Sequence, residues 1–302
     1  MQVLRTPDSR FENLPDWSYS PHYTEVDAGD GTQLRIHHVD EGPGDGEVVL
    51  CMHGEPSWSY LYRHMIPSLV EAGHRVMAPD LPGFGRSDKP AEQDDYTYER
   101  MVEWMSKWLV ANDLNGITLV CQDWGGLIGL RLVASFPDRF ARLVIANTGL
   151  PTGDQKITKG FMQWREFSQS VPEFNCGAIV SMGTTSDLGD DVVAAYNAPF
   201  PDDSYCAGAR RMPVLVPISG DDPASPGNRA AWKVLEAWTK PVLVAFSDSD
   251  PITGGGEKPF LTRIPAAGGP EQVVIEGGGH FLQEDRGPQL AAEVNRFMAA
   301  NP

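Results

Sequence analysis

The run Leu119-Val120-Cys121-Gln122-Asp123-Trp124-Gly125-Gly126 sets a carboxylate, an indole and two glycines where an apolar segment gives way to a helical one. Ile117 to Cys121 predicts a short buried strand. From Gly125, the residues Leu127, Ile128, Leu130 and Val133 predict a helix. A sharp strand-to-helix turn with small residues around it is a nucleophile elbow, which usually carries serine in Gly-x-Ser-x-Gly. Aspartate in that place changes the chemistry. A serine must lose a proton before it attacks, whereas an aspartate is already anionic at neutral pH. It can attack saturated carbon directly, displace a leaving group and form a covalent ester with the protein. That implies carbon–halogen or epoxide substrates rather than esters or peptides.

Chain order agrees with such a nucleophile. In proteins built on this elbow the nucleophile comes first, then an acid, then a histidine. After Asp123, a predicted strand Pro241 to Phe246 empties into Ser247-Asp248-Ser249-Asp250-Pro251, and a later one empties into Gly277-Gly278-Gly279-His280-Phe281. Both turns fall at carboxyl ends of sheet strands, where open α/β folds hold their ligands. His280 is the histidine of the C-terminal half and the expected base. Asp250 is preferred to Asp248 as the acid that orients it, because Pro251 fixes the turn immediately behind. The segment His53-Gly54-Glu55-Pro56-Ser57-Trp58 follows another strand and is expected to supply part of an oxyanion hole, with the backbone N–H groups of Glu55 and Trp124 as donors. Their task is the tetrahedral oxyanion formed when water attacks the alkyl–Asp123 ester.

Trp124 and Trp164 discriminate between chemistries. An indole N–H donates and cannot accept, so it can hold a departing halide without trapping it. Trp124 adjoins the nucleophile. A carboxylate at Glu55 cannot ligate a halide, so the second donor is expected from Gly160-Phe161-Met162-Gln163-Trp164.

The elements that must position these groups alternate. Glu47 to Met52 predicts a strand, Tyr60 to Ala72 a helix, and Arg75 to Pro79 a strand running into the Gly/Pro loop Asp80 to Ser87. Met101, Val102, Met105, Trp108 and Leu109 recur at amphipathic-helix spacing, and Leu143 to Asn147 predicts another strand. This rhythm implies a mostly parallel sheet covered by helices on both faces. It breaks between Pro151 and about Asn228, then resumes with a helix holding Trp232 and Trp238, strands at 241–246 and 272–275, and a final helix from Gln289 to Met298. The expected organisation is a core of residues 1–150 and 229–302 with an inserted helical cap at 151–228.

Composition bounds the reading. With 302 residues, 41% apolar and 22% charged, the chain is an ordinary globular enzyme in make-up. A formal charge of −17 argues against nucleic acid and anionic membrane surfaces as partners. Met1 to Arg10 shows no apolar signal region, and no run reaches the length of a membrane span, so a cytoplasmic protein is expected. Cys51, Cys121, Cys176 and Cys206 show no metal-ligand spacing. Cys51 and Cys121 read as small buried residues. Cys176 and Cys206 fall in one region, where a reducing compartment disfavours a bridge.

The sequence resembles the haloalkane dehalogenases of the α/β-hydrolase fold over nearly its whole length. The resemblance is carried by His53 to Arg63, the Asp80 to Pro90 loop, Gln122 to Gly126 and Gly279-His280-Phe281, and in the cap by Gly160 to Trp164 and Ala198 to Tyr205. The cap stretches and Glu55 are similar to the subfamily typified by the dichloroethane-degrading enzyme, in which two tryptophans hold the halide. The place after the earlier strand holds Asn147 rather than a carboxylate, which also suits that subfamily. The resemblance implies hydrolysis of a halogenated alkane to alcohol, halide and proton, without metal or organic cofactor, by a single chain acting as a monomer. It implies a pocket lined by Leu127, Phe161, Met212, Pro213, Val216, Ile252 and Phe281. Leu127 and Met212 stand where aromatic residues are expected, and Glu166 to Met182 aligns poorly, so the preferred haloalkane is left open.

Rival readings make different demands. An epoxide hydrolase would share the aspartate and the histidine–acid pair but needs a proton donor for the alkoxide, usually paired cap tyrosines; Tyr196 and Tyr205 are the candidates. A fluoroacetate dehalogenase needs arginines beside the nucleophile, where this chain has Trp124 and Leu127. A binding protein without catalysis would have no need for Asp123, His280 and Asp250 together.

Overall fold

The computed structural model of the chain describes residues 1–267 and 272–302. One sheet holds β1 (His22–Asp27), β2 (Gln33–Glu41), β3 (Val48–Met52), β4 (Arg75–Pro79), β5 (Ile117–Gln122), β6 (Phe140–Ala146), β7 (Val242–Ser247) and β8 (Gln272–Ile275). Their spatial order is β8-β7-β6-β5-β3-β4-β2-β1. The hairpin β1–β2 is antiparallel and β2 runs antiparallel to β4; the other neighbours are parallel. The helices are α1 (Ile66–Glu71), α2 (Tyr98–Ala111), α3 (Trp124–Ser135), α4 (Lys159–Ser170), α5 (Cys176–Met182), α6 (Asp190–Asn197), α7 (Ala207–Leu215), α8 (Ser225–Leu235), α9 (Glu257–Arg263) and α10 (Leu282–Ala300).

The central strands are apolar runs because both of their faces are covered. Successive side chains of a strand point to opposite faces. Leu50, Met52, Leu119 and Cys121 accordingly pack with α2, α3 and α8, while Val49, Cys51, Val120 and Val144 pack with α1 and α10. The path from β3 turns one way to β4, whereas β5 lies on its other side. The carboxyl ends of β3 and β5 thus flank a reversal of strand order, the crevice where such sheets place their chemistry.

Several elements depart from the sequence pattern. Residues 60–72 form a 3₁₀ turn, Ser59–Tyr62, and then α1, not one helix. The buried Asp80 carboxylate takes the Ser59 N–H at 2.8 Å and the Tyr62 hydroxyl donates to the Met52 carbonyl at 2.8 Å, which ties the turn to the sheet. Pro67 then opens α1 in its first turn, where no N–H is required. Trp238 lies beyond the end of α8, buried in the turn that follows. The last helix starts well before Gln289: α10 begins at Leu282 and kinks at Arg286 (φ −141°, ψ 31°) ahead of Pro288, whose ring cannot continue a straight helix. The hairpin β1–β2 lies in a stretch from which no strand was expected.

Between β6 and β7 the chain is helical and, among the described residues, contains no strand; α5 packs on α6 and α4 on α7. No described helix is long and apolar enough to cross a membrane. All four cysteines are buried and free. The Cys176 and Cys206 thiols both approach the Phe174 carbonyl, at 4.0 and 3.7 Å.

Candidate active site

Asp123 ends β5 and caps α3 with φ 49° and ψ −125°, a left-handed conformation costly for any residue but glycine. The surroundings hold it there. Its N–H donates to the Asn147 carbonyl at 3.0 Å, and its carbonyl accepts from Thr148 Oγ1 at 2.6 Å and from the Gly126 N–H at 2.9 Å. Two glycines make the close approach feasible. A Cβ on Gly54 would lie 2.3 Å from Asp123 Oδ1, and one on Gly125 would lie 2.0 Å from the Met52 carbonyl oxygen. The Asp123 carboxylate is left to the cavity side, with Oδ1 accepting the Glu55 N–H at 2.8 Å. Trp124 opens α3, where a helix leaves its first N–H groups without intrahelical acceptors. Among the described residues no hydrogen bond joins the Trp124 N–H to the Asp123 side chain.

His280 sits after the turn that follows β8. Its Nε2 is 3.6 Å from Asp123 Oδ2 and its Nδ1 is 3.0 Å from Asp250 Oδ2. Asp250 also accepts the Ile252 N–H at 2.7 Å and a short hydrogen bond from the Thr253 hydroxyl. Burial works against ionisation of Asp250, but the imidazole and these donors bring its carboxyl down to about 2. Asp248 points elsewhere and accepts the Gly277 N–H at 2.9 Å. Burial also opposes a charged His280; Asp250, then Asp123, override it and lift the imidazole to about 10.

Three side chains to which the sequence reading gave no catalytic role surround this pair. Gln122 is fully buried, with Nε2 3.1 Å from His280 Nε2 and 3.1 Å from the His280 carbonyl. Asn147, in the place where a related acid could stand, donates to the Gly279 and His280 carbonyls at 2.9 and 3.1 Å and accepts the Ser247 N–H at 2.9 Å. The third is the Glu55 side chain. It is 4% exposed with Oε1 unpartnered, and burial, reinforced by Asp123, raises its carboxyl well above the usual range. The sequence reading weighed Glu55 only as a carboxylate unable to ligate a halide; burial and the neighbouring Asp123 disfavour its charged form. Gln122 and Glu55 adjoin motif residues in the chain, and that adjacency was the available signal.

The tryptophans divide by their indole N–H. Those of Trp58, Trp104 and Trp232 donate to carbonyls of Ala195, Ala28 and Leu150, and that of Trp108 reaches His38 Nδ1 at 3.4 Å. Those of Trp124 and Trp164 have no acceptor among the described residues, and neither has that of Trp238, buried in the turn after α8. Trp124 is buried with its ring 5.1 Å from Tyr98, and Trp164 packs against Phe167 and Phe174.

Two cavities meet at Asp123. The smaller, about 110 Å³, is bounded by Glu55, Trp164, Ile179, Ile252, His280 and Phe281. The larger, about 260 Å³, is bounded by Leu127, Phe161, Val216, Trp232, Ile252 and Phe260. Met212 and Pro213, expected in the pocket, are buried in α7 and line neither cavity. No cluster of metal-ligating side chains occurs among the described residues.

Comparison with known proteins agrees with this geometry. The alpha/beta hydrolase fold family matches residues 47–287. The chain is 58% identical to a haloalkane dehalogenase of Psychrobacter cryohalolentis, over 100% of both chains. It is 53% identical to haloalkane dehalogenase 1 of Mycobacterium tuberculosis, covering 99% of this chain and 100% of that one. Among solved structures, the tetrameric haloalkane dehalogenase DpaA from Paraglaciecola agarilytica superposes with a TM-score of 0.90 at 37% identity, over 97% of each chain. An aspartate elbow served by a histidine–aspartate pair, on this fold and at this likeness, has one reading: the chain belongs to the haloalkane dehalogenases of the alpha/beta hydrolase fold.

Proposed function

We propose that Asp123 displaces halide from a haloalkane to give a covalent alkyl ester, which His280 then helps water to hydrolyse. One carboxylate oxygen forms a bond to carbon as the carbon–halogen bond breaks, and the halide leaves with the bonding electrons toward the Trp124 and Trp164 N–H groups. The observation that carries this reading is the line Asp123–His280–Asp250, with separations of 3.6 and 3.0 Å, on a cavity that Trp164 also bounds. The first step needs no base. The second does, because water attacks an ester effectively only as its proton is removed.

Electrostatics order the two steps. While Asp123 is anionic it helps hold the His280 proton. Ester formation removes that negative charge, which releases part of the upward push on the imidazole and makes it a better base at the moment one is needed. Gln122 acts in the same direction, since its amide N–H suits a lone pair on His280 Nε2 and opposes a proton there. The Glu55 N–H, with that of Trp124, stabilises the oxyanion of the tetrahedral intermediate. Burial and Asp123 disfavour a second negative charge on Glu55, whose side chain bounds the smaller cavity together with His280. Collapse of the intermediate releases alcohol and regenerates Asp123, and the proton leaves through His280.

Residues 151–228 act in this reading as a cap that brings Trp164 over a core of residues 1–150 and 229–302. Every group invoked belongs to one chain, so a monomer suffices, and four unpaired cysteines suit the cytoplasm. Epoxide opening is not favoured: the Tyr196 hydroxyl is held by Glu284 at 2.6 Å, and neither Tyr196 nor Tyr205 lines the cavities at Asp123.

The test is His280→Phe mixed with a bromoalkane. About one bromide per subunit should appear and then stop, with the alkyl adduct found on Asp123 by intact and peptide mass spectrometry. Steady turnover, or an adduct on another residue, would overturn the mechanism.

A further inference from the structure

We propose that Asp285 is a positioning residue for His280: its carboxylate joins residues 183–186 of the cap to the turn that carries the histidine, so that the cap supports the base in ester hydrolysis. The inference rests on the dehalogenation reading and concerns its second half-reaction.

The peptide groups around His280 are held from two sides. The core takes the carbonyls: Asn147 donates to those of Gly279 and His280, and Gln122 to that of His280. The N–H groups turn the other way. That of His280 donates to the Gly183 carbonyl at 2.7 Å, and that of Phe281 reaches the same oxygen at 3.3 Å. That of Gly279 donates to Asp285 Oδ2 at 2.8 Å. Gly183 directly follows α5, so the cap backbone itself accepts from the peptide of the base. The approach is close. A Cβ on Gly279 would lie 2.5 Å from the Gly183 carbonyl oxygen, a clash that glycine avoids.

Asp285, in the first turn of α10, fastens this contact. Its Oδ1 accepts the Ser186 N–H at 2.8 Å, and both oxygens share the Thr185 N–H, at 3.1 and 3.0 Å. One oxygen therefore serves the cap and the other also serves the histidine turn. Burial pushes the carboxyl up, but the Thr185, Gly279 and Ser186 N–H groups bring it below its ordinary range, so both oxygens remain acceptors. The Thr185 hydroxyl adds a bond to the Gly277 carbonyl at 2.6 Å. Trp164 is secured elsewhere. On its helix α4, Thr158 bonds the Ile252 carbonyl and Arg165 the Pro213 carbonyl, each at 2.9 Å. Loosening residues 183–186 thus disturbs the base while the halide donor keeps its own ties.

The experiment separates the half-reactions by rapid mixing with 1-bromobutane. Asp285→Asn sets an amide N–H against a backbone N–H whichever way the side chain turns. Misplacing a reacting group by a fraction of an ångström to one ångström costs about ten- to a hundredfold in rate, and decay of the alkyl–Asp123 ester should slow by that factor. Release of the first bromide should stay within about twofold, because that step uses no base. The ester should accumulate in the steady state, which intact-mass spectrometry reads. Thr185→Val removes only the hydroxyl bond to Gly277 and should slow ester decay about two- to threefold. Circular dichroism and urea midpoints report whether each variant folds. Bromide release and ester decay falling together in folded Asp285→Asn would make Asp285 a structural group and overturn the proposal, as would unchanged ester decay. Should Asp285→Asn not fold, unchanged ester decay in Thr185→Val overturns it instead. No bromide from the unaltered protein, with 1-bromobutane or 1,2-dibromoethane, would remove the dehalogenation reading itself.

Discussion

At the scale of single residues, the site is made by side chains that lack the partner their chemistry calls for. Trp124 and Trp164 hold N–H groups of the kind that Trp58, Trp104 and Trp232 spend on backbone carbonyls. Trp164→Phe keeps the ring packing against Phe167 and Phe174 and removes only the donor. A hydrogen bond to a charged group contributes about 1.5–3 kcal/mol, so halide affinity should fall roughly ten- to a hundredfold. Bromide titration of tryptophan fluorescence reads this directly, and unchanged affinity would mean that Trp164 is a packing residue. Pre-steady-state release of the first halide should slow in parallel, while hydrolysis of the preformed ester should not.

The elements aim these residues through strand ends. β3, β5, β7 and β8 each finish at the same edge of the sheet, and their loops deliver Glu55, Asp123, Asp250 and His280. The tolerance is tight at the elbow, where α3 begins against β3. Gly125→Ala would force a Cβ to within 2.0 Å of the Met52 carbonyl oxygen, which is backbone and cannot rotate away. Overpacking of this kind costs about 1–3 kcal/mol and shifts the elbow. A lower midpoint in urea, with activity reduced by more than the loss of folded protein accounts for, is the expected result. A variant of full stability and activity would show that α3 can slide on the sheet.

For the whole molecule, buried ionisable groups set the acid limit. Burial alone would raise the Asp80 carboxyl, but His37, at 2.7 Å, with His53 and the Ser59 N–H, holds it below the usual range. Asp250 is held at about 2. A carboxylate depressed on folding contributes stability above its unfolded pKa, near 4, and loses it as pH falls toward the folded value. His38 is pushed down to about 4, chiefly by burial and then by His37. The unfolded chain therefore binds the His38 proton first, and stability falls as pH drops from about 6.5 to 4. His280 works oppositely: raised to about 10, it favours the fold below about 6.5 and surrenders that contribution as pH rises. Urea midpoints measured from pH 8 to 3 should decline in two stages, below about 6.5 and again below about 4. His38→Gln should abolish its share of the first; an unaltered upper stage would remove this assignment.

Much of this was legible in the chain alone. Apolar runs buried on both faces announce parallel strands, and the order Asp123, Asp250, His280 is the one proposed for nucleophile, acid and base, legible because loop residues at strand ends are addressed by sequence. The choice of Asp250 over Asp248 needed only the rigid proline behind it. Short-range rules also misled where long-range contacts act: Asp80 and Met52 split the expected helix at 60–72, and the β1–β2 hairpin takes its place from the sheet edge it joins. What only tertiary structure decided is the state of groups whose neighbours lie far away in sequence. The Glu55 carboxyl is raised because the fold removes water from it and sets Asp123 beside it. Gln122 meets His280 across the sheet, Asn147 ties the turn that carries His280, and Met212 and Pro213 turn away from the cavities as α7 packs into the core. The cavities themselves are spaces between elements, and a space has no residue of its own for a sequence to spell.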